Sequence, residues 1–257
     1  MSEIIKTTAL SKRYVKQIVL RDINLSIHSG ELIGYIGPNG AGKSTTIKIL
    51  CGLIPDFEGD AIIMGMDVRT SALDIKRRIG YIPENAALYE TLNPIEYLLF
   101  VGQLYQLPEK ATSQKIKELL QLFDLEKASE MRMSSFSKGM KQKVLLISGM
   151  LHNPDILFLD EPLSGLDANS VILVKEILTQ LKQSGKTIFY SSHIMEVVEK
   201  LSDRIIIINQ GQIIANGSFQ QLNSLEHGNS LEQIFTQLTG QGEQATVASN
   251  IIEILKS

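Results

Sequence analysis

The segment Gly37–Thr45 constrains this chain more than any other feature of its sequence. It matches the phosphate-binding pattern G-x-x-x-x-G-K-[ST] at every position. The apolar run Leu32–Ile36 before it predicts a buried strand, and Thr45–Leu50 after it predicts a helix. Glycines let successive backbone N–H groups face one anion, and the helix N-terminus adds its positive dipole end. A chance glycine-rich turn is the less favoured reading, and the predicted phosphate site comprises Gly37, Pro38, Asn39, Gly40, Ala41, Gly42, Lys43, Ser44 and Thr45.

Two side chains of this loop have a defined chemistry in such a site. We expect Lys43 to bridge the β- and γ-phosphates of a nucleoside triphosphate. We expect Ser44 to offer its hydroxyl to a magnesium ion. The loop by itself therefore predicts a nucleotide site and leaves the reaction open.

A second buried strand, Ile156–Leu159, is followed directly by Asp160 and Glu161. Because ligands bind at the carboxyl ends of the strands in α/β sheets, both acids are expected to face the phosphate loop. Asp160 is then placed to help hold magnesium, and Glu161 to orient or deprotonate the water that attacks the γ-phosphorus. A solvated acidic turn is the alternative, and the phosphate loop makes the functional interpretation the better one.

Composition limits the class of protein. The 257 residues suit one α/β domain with room for an inserted subdomain. A net charge of −3 gives no electrostatic reason to expect a nucleic-acid partner. No run approaches the ~18 apolar residues of a membrane span, and the N-terminus lacks the features of a signal peptide. Cys51 is the only cysteine, which excludes an internal disulfide and fits the reducing cytoplasm.

The periodicity of the chain predicts three regions and a tail. Alternating and apolar runs predict strands in the first 83 residues and again after residue 155. Between them, Asn93 and Pro94 resemble a helix start, and two further apolar faces recur at helical spacing, so that 85–152 is predicted as a helical insert. The predicted fold class is α/β, with a parallel-sheet core, an N-terminal antiparallel β subdomain and this insert. The domain is expected to span 1–240, and 241–257 a C-terminal tail.

Three further segments have weak signals when each is taken alone. Ser137 and Gly139, at a predicted helix start, suit a second anion site, although an ordinary N-cap is the simpler interpretation. His193 follows a strand and can donate to a phosphate oxygen, although a capping or core histidine is the safer assumption. Ser164–Asp167 resembles a loop turn only.

The order of all these segments along the chain resembles the ATP-binding cassette family, from about residue 4 to residue 240. The resemblance implies that Gly37–Thr45 is the Walker A loop, that Ser137–Met140 is the signature motif, and that Ser164–Asp167 is the D-loop. It implies that Asp160 belongs to Walker B and that Glu161 is the catalytic glutamate. It also identifies His193 as the switch histidine and Tyr14 as the aromatic that stacks on adenine. For Tyr14, a packed strand tyrosine remains the alternative.

Two positions depart from the family pattern. Glu84 stands where the family has a magnesium-sensing glutamine; a carboxylate can ligate magnesium, but it adds negative charge beside the triphosphate. The signature reads Phe136–Met140 where Leu-Ser-Gly-Gly-Gln is commoner, and it keeps the phosphate-facing Ser137 and Gly139. This variant, together with Ser230–Gly240, is similar to cassettes that serve exporters with a separately encoded permease.

The resemblance implies an ATPase subunit that uses ATP and magnesium and drives transport, in the export direction, through an integral membrane permease. It implies a head-to-tail homodimer in which Ser137 and Gly139 of one copy cap the ATP of the other. The chain would then lie in the cytoplasm, peripherally on the cytoplasmic face of the inner or plasma membrane. Ala87–Tyr89 is a candidate contact with the permease, and packing of the insert against the core explains it equally well.

Two other functions compete with this one. The first is a soluble cassette ATPase that acts on nucleic acid or ribosomes. Such relatives usually carry two cassettes, long coiled-coil inserts or zinc-binding cysteines, which this sequence lacks. The second is a nucleotide kinase, which the phosphate loop permits but the downstream motifs disfavour.

Overall fold

The computed structural model describes residues 2–15, 17–84, 88–226, 230–240, 251–252 and 254–255. The described strands, in chain order, are β1 (Glu3–Tyr14), β2 (Gln17–His28), β3 (Leu32–Ile36), β4 (Glu58–Ile63), β5 (Met66–Asp67), β6 (Ile79–Ile82), β7 (Ile156–Asp160), β8 (Thr187–Ser191), β9 (Arg204–Asn209) and β10 (Gln212–Gly217). The described α-helices are α1 (Lys43–Leu50), α2 (Ala72–Arg78), α3 (Pro94–Leu104), α4 (Glu109–Leu122), α5 (Lys138–Met150), α6 (Ala168–Gln183), α7 (Met195–Leu201), α8 (Phe219–Glu226) and α9 (Leu231–Thr239). Two 3-10 helices, Glu126–Ala128 and Met133–Ser135, lie between α4 and α5.

The larger sheet has six strands in the order β10-β9-β3-β8-β7-β6. All neighbouring pairs are parallel except β9 and β10, which form an antiparallel hairpin at one edge. Every residue of β3, β7 and β8 is buried. Such continuous burial is expected of parallel strands whose two faces are both covered.

The two faces of this sheet belong to different parts of the core. On β7, Leu157 and Leu159 face a cluster shared with the helices between residues 94 and 150. Ile156 and Phe158 face a second cluster shared with α1 and the other sheet. This alternation follows from the two-residue period of a strand. It places the predicted helical region on one side of the sheet and the N-terminal strands on the other.

The smaller sheet is antiparallel, with the order β2-β1-β4-β5. β1 and β2 form a long hairpin in which Tyr14 pairs with Gln17 across the turn. The predicted α/β fold, with a parallel core and an N-terminal antiparallel β subdomain, is confirmed. No helix within the described ranges is both long enough and apolar enough to cross a bilayer.

The helix starts follow from local capping chemistry. The Asn93 side chain accepts a hydrogen bond from the Glu96 N–H, the Glu96 carboxylate accepts one from the Asn93 N–H, and Pro94 occupies the first turn. Helix α3 then continues to Leu104. Helix α6 begins at Ala168, because the Asp167 side chain caps it by accepting a hydrogen bond from the Ser170 N–H.

Three short helices, α2, α7 and α8, were not predicted from the sequence. Each has seven or eight residues, too few for the periodicity to be distinguished from that of a loop. The boundaries 85–152, 1–240 and 241–257 remain predictions. Ala87 and most of the tail lie outside the described residues, since only 251, 252, 254 and 255 are described there.

Candidate functional site

The predicted phosphate loop leaves β3 and enters α1 at Lys43, two residues before the predicted helix start. Gly40 and Gly42 have φ angles of 79° and 110°, in the left-handed region that favours glycine. A Cβ on Gly42 would also lie 2.5 Å from the Leu20 side chain. The glycines are therefore needed both for the turn of the loop and for its close approach to β2.

The Lys43 ammonium lies over this loop. Its Nζ donates to the Gly37 carbonyl at 2.7 Å and to the Pro38 carbonyl at 3.1 Å. Burial lowers the pKa of Lys43, and the nearby carboxylates of Glu161 and Asp160 act in the opposite direction. The loop thus presents a largely desolvated cation on the carboxyl side of the sheet, where it can bind an anion.

An open cleft of about 630 Å³ lies beside this loop, a volume in the range of small-molecule sites. The loops that follow β3, β6, β7 and β8 all reach it. Among the predicted site residues, those that line it are Asn39, Gly40, Gly42, Lys43, Ser44, Thr45, Glu84, Asp160, Glu161 and His193. Residues more than 150 positions apart therefore form one site, because parallel strands end at one edge of the sheet.

The two acids at the end of β7 have different surroundings. Asp160 is buried, and its Oδ1 accepts a 2.6 Å hydrogen bond from the Ser191 hydroxyl. Glu161 has a φ of 52°, which turns it out of the strand direction. Its Oε2 lies 2.7 Å from His193 Nδ1, and the His193 backbone N–H donates to the same oxygen at 3.3 Å. The predicted catalytic pair Glu161 and His193 is thus in direct contact.

The donor set of the cleft suits magnesium. Ser44, Asp160 and Glu84 line one cleft, and their hydroxyl and carboxylate oxygens are of the kind that could ligate this ion. Within the described residues, no group of three or more His, Cys, Asp or Glu side chains forms a cage for a metal. Magnesium does not need such a cage, because it keeps waters and binds through one or two carboxylates together with substrate phosphates.

Ser137 and Gly139 are not among the described residues that line the cleft. Ser137 caps α5 by accepting from the Met140 N–H at 3.2 Å. A Cβ on Gly139 would lie 2.6 Å from the Gly165 carbonyl oxygen, and Lys138 Nζ donates to the Ser164 hydroxyl at 2.7 Å. The structure therefore brings the Ser137–Met140 segment together with the Ser164–Asp167 loop, away from the phosphate loop of the same chain.

Tyr14 is likewise not among the described residues that line the cleft. Tyr14 is 44% exposed, and the centre of its ring lies 4.8 Å from Lys12 Nζ. Two residues of β2, Gln17 and Val19, line the cleft instead. The sequence did not predict these two as site residues, because they belong to no recognisable motif. The one signal available was their two-residue spacing, which places both on the same face of a strand.

Comparison with known proteins identifies the family of this chain. The family model described as "ABC transporter" matches residues 20–164. The chain is 40% identical over 209 residues to an uncharacterized ABC transporter ATP-binding protein of Nostoc sp., a match that covers 80% of this chain and 62% of that protein. It is 37% identical to the linearmycin resistance ATP-binding protein LnrL of Bacillus subtilis, covering 88% and 72% of the two chains.

A solved structure described as the ATP-binding subunit of an ABC transporter superposes with a TM-score of 0.85 at 33% identity. The superposition covers 91% of this chain and 99% of the other. More than half of the residues match the family model, both relatives are at least 37% identical over most of this chain, and the solved structure has the same fold. The chain therefore belongs to the ABC transporter family, among its ATP-binding proteins.

Proposed function

We propose that this chain hydrolyses ATP and that hydrolysis powers export through a separate membrane permease. The observation that carries the proposal is the convergence of Lys43, Asp160, Glu161 and His193 on one cleft. A cation for the phosphates, an oxygen ligand for a metal and a carboxylate paired with an imidazole are the groups that phosphoryl transfer to water requires.

Each residue of the cleft has a separate task in this reaction. Lys43 and the N–H groups of the phosphate loop bind the triphosphate. Ser44, Asp160 and Glu84 would hold magnesium, which neutralises charge on the phosphate oxygens. Glu161 takes a proton from the attacking water, and His193 orients Glu161 through the 2.7 Å contact. Tyr14, which pairs with Gln17 across the hairpin, remains a proposed contact for the adenine, and Gln17 and Val19 line the cleft.

The site is completed by a second copy of the chain. Ser137 and Gly139 lie at an exposed helix start outside their own cleft. A head-to-tail homodimer would bring them to the γ-phosphate bound by the partner, where a hydroxyl and helix N–H groups stabilise negative charge. ATP then favours the closed dimer because it has ligands from both copies only in that state.

The permease and the direction of transport are proposed from the relatives. A relative named for linearmycin resistance is consistent with export. A chain coupled to a permease in this way lies on the cytoplasmic face of the membrane. Within the predicted contact segment, Leu88 is buried in the core. Tyr89 is 60% exposed and packs edge-on against Phe100, so Tyr89 is the proposed contact with the permease.

The variant Glu161→Gln tests this function. It keeps the shape of the side chain but removes the base, so ATP should still bind while turnover falls by at least about a hundredfold. With ATP and magnesium, the variant should accumulate as a dimer, measured by size-exclusion chromatography with light scattering. Pulled down from its native membranes in mild detergent, it should retain a polytopic membrane protein.

The exposed acid Glu118 on α4 provides the matched control, as Glu118→Gln. Normal turnover in Glu161→Gln would place the base elsewhere. Recovery of ribosomal or DNA-associated proteins without a membrane protein would favour the soluble alternative.

A further inference from the structure

Ser191 contacts both acids of the cleft through a single hydroxyl. It ends β8 directly opposite Asp160 in the parallel register, and it is fully buried. Its Oγ donates to Asp160 Oδ1 at 2.6 Å and accepts from the Glu161 backbone N–H at 3.2 Å. The same N–H also donates to the Ser191 carbonyl at 3.2 Å.

The bond to Asp160 fixes the orientation of that carboxylate. A distance of 2.6 Å is typical of a charge-assisted O–H···O⁻ bond, which is stronger than a neutral one. Because it engages Oδ1, it leaves Oδ2 free of Ser191 and available to another ligand. Groups that hold a metal-binding side chain in this way commonly determine how tightly the metal binds.

The bond from the Glu161 N–H acts on the second acid. Glu161 has a φ of 52°, a conformation that residues with a Cβ adopt reluctantly. The bonds from its N–H to Ser191 help to stabilise this turn, and the turn directs the Glu161 carboxylate to His193. The Ser191 hydroxyl thus bonds both to the predicted metal ligand and to the backbone of the predicted base, and the Ser191 carbonyl adds a second bond to that backbone.

We propose that Ser191 is a positioning residue that sets the affinity of the nucleotide site for its divalent cation and aligns Glu161. The proposal rests on the proposed ATPase function. Ser191 itself touches neither water nor phosphate in this role; it acts through Asp160 and Glu161.

The neighbouring serine offers a matched control. Ser192 is also buried, but its hydroxyl accepts from the Ile194 N–H at 3.1 Å and bonds to neither acid. Ser191→Ala and Ser192→Ala therefore remove the same atom from adjacent buried positions. Only the first removes the hydrogen bond to Asp160.

The experiment measures the divalent cation directly. Mn²⁺ is titrated into the full chain with ATP and followed by electron paramagnetic resonance, and binding of mant-ATP is measured in EDTA. Ser191→Ala should weaken Mn²⁺ binding by about ten- to a hundredfold. Binding of mant-ATP without metal should stay at the wild-type level, and Ser192→Ala should match the wild type in both assays.

An unchanged Mn²⁺ affinity in Ser191→Ala, or an equal loss in Ser192→Ala, would overturn the proposal. If Ser191→Ala does not fold, Ser191→Cys is measured in the same two assays. Cysteine is similar in size to serine and is a weaker hydrogen-bond donor, so Mn²⁺ binding should again weaken, and an unchanged Mn²⁺ affinity would again overturn the proposal. Failure of the wild type to bind mant-ATP at all would instead overturn the ATPase function and this proposal with it.

Discussion

The backbone of Glu161 has a conformation that the site uses but that a residue with a Cβ does not favour. Its positive φ costs about 1–2 kcal/mol for a residue with a Cβ. Hydrogen bonds from its backbone to Ser191, and from His193 to its carboxylate, hold the turn in place. Strained residues of this kind concentrate at functional sites, where the surrounding structure fixes them. Nine described residues other than glycine have a positive φ, and Glu161 is the one among them that lines the cleft beside the phosphate loop.

His152 is a second residue whose surroundings decide its chemistry. Its ring stacks on Tyr105 at 3.7 Å, and its Nε2 donates to the Ile79 carbonyl at 2.9 Å. Its Nδ1 is buried with no hydrogen-bond partner among the described residues. Burial lowers the pKa of His152 below its ordinary value of 6.5. Protonation would place a charge on a nitrogen with no described acceptor.

This pKa predicts a pH dependence of stability. Below about pH 6.5 the unfolded chain takes up a proton at His152 that the folded chain resists, so the free energy of unfolding falls as the pH falls through that range. His152→Gln keeps a donor for Ile79 and should lose less stability between pH 7.5 and 5.5. Urea unfolding at several pH values measures this, with the half-exposed His28→Gln as the comparison variant. The same pH dependence in the wild type and His152→Gln would contradict the prediction.

At the scale of elements, the approach of α5 to β6 determines where the Ser137–Met140 segment lies. A Cβ on Gly80 of β6 would collide with the Gly149 carbonyl oxygen of α5. Near the other end of the helix, the buried Gln142 donates to the Pro162 carbonyl at 3.1 Å. Helix α5 is thus fixed to the sheet at one end and to the loop after Glu161 at the other. Its N-terminus, with Ser137 and Gly139, is held by these contacts.

Substitution of the two glycines should have unequal effects. Gly80→Ala forces a methyl group against backbone, which cannot rotate away, and should destabilise the protein by about 1–3 kcal/mol or more. Gly149→Ala should be milder, because its Cβ would meet the Ile82 side chain at 2.7 Å and alanine gains up to about 1 kcal/mol of helix propensity. Denaturant midpoints of the two variants test the order. A larger loss of stability in Gly149→Ala than in Gly80→Ala would contradict this prediction.

At the scale of the whole molecule, the two sets of predicted ATP ligands are on different surfaces. The cleft is built from the carboxyl edge of the six-stranded sheet and from β2 of the smaller sheet. Ser137 and Gly139 are on the surface formed by α5 and the Ser164–Asp167 loop. In the proposed dimer, each ATP site is a composite of the cleft of one copy and the Ser137 and Gly139 surface of the other. A single copy thus has both of these surfaces, but they do not meet within it.

Mixing two inactive variants tests this arrangement. Lys43→Ala disables the cleft and Ser137→Ala disables the surface offered to the partner. In a mixed dimer, one of the two composite sites has both halves intact. An equal mixture should therefore recover up to about a quarter of wild-type ATPase activity, since about half of the dimers are mixed.

The separate variants, assayed at the same total concentration, are the controls. Activity of the mixture equal to the mean of its parts would argue that each chain completes its own site.

The sequence by itself determined the features that depend on neighbouring residues. The φ preference of glycine indicates the turn at Gly40–Lys43, and a hydrogen bond to adjacent backbone explains the capping of α3 by Asn93. Apolar periodicity indicates β7 and therefore the position of the acids that follow it. These interactions span a few residues, so their signals survive in the sequence. The order of such segments was sufficient to indicate the family.

The tertiary structure alone decided the contacts between distant segments. These contacts join residues that share no sequence motif. They are the Ser191–Asp160 hydrogen bond, the close approach of Gly80 to Gly149, and the lining of the cleft by Gln17 and Val19. The placement of Tyr14 beside Lys12, outside the cleft lining, is of the same kind. Strand order and register fix these contacts, and they result from packing the whole core, so no local stretch of sequence specifies them.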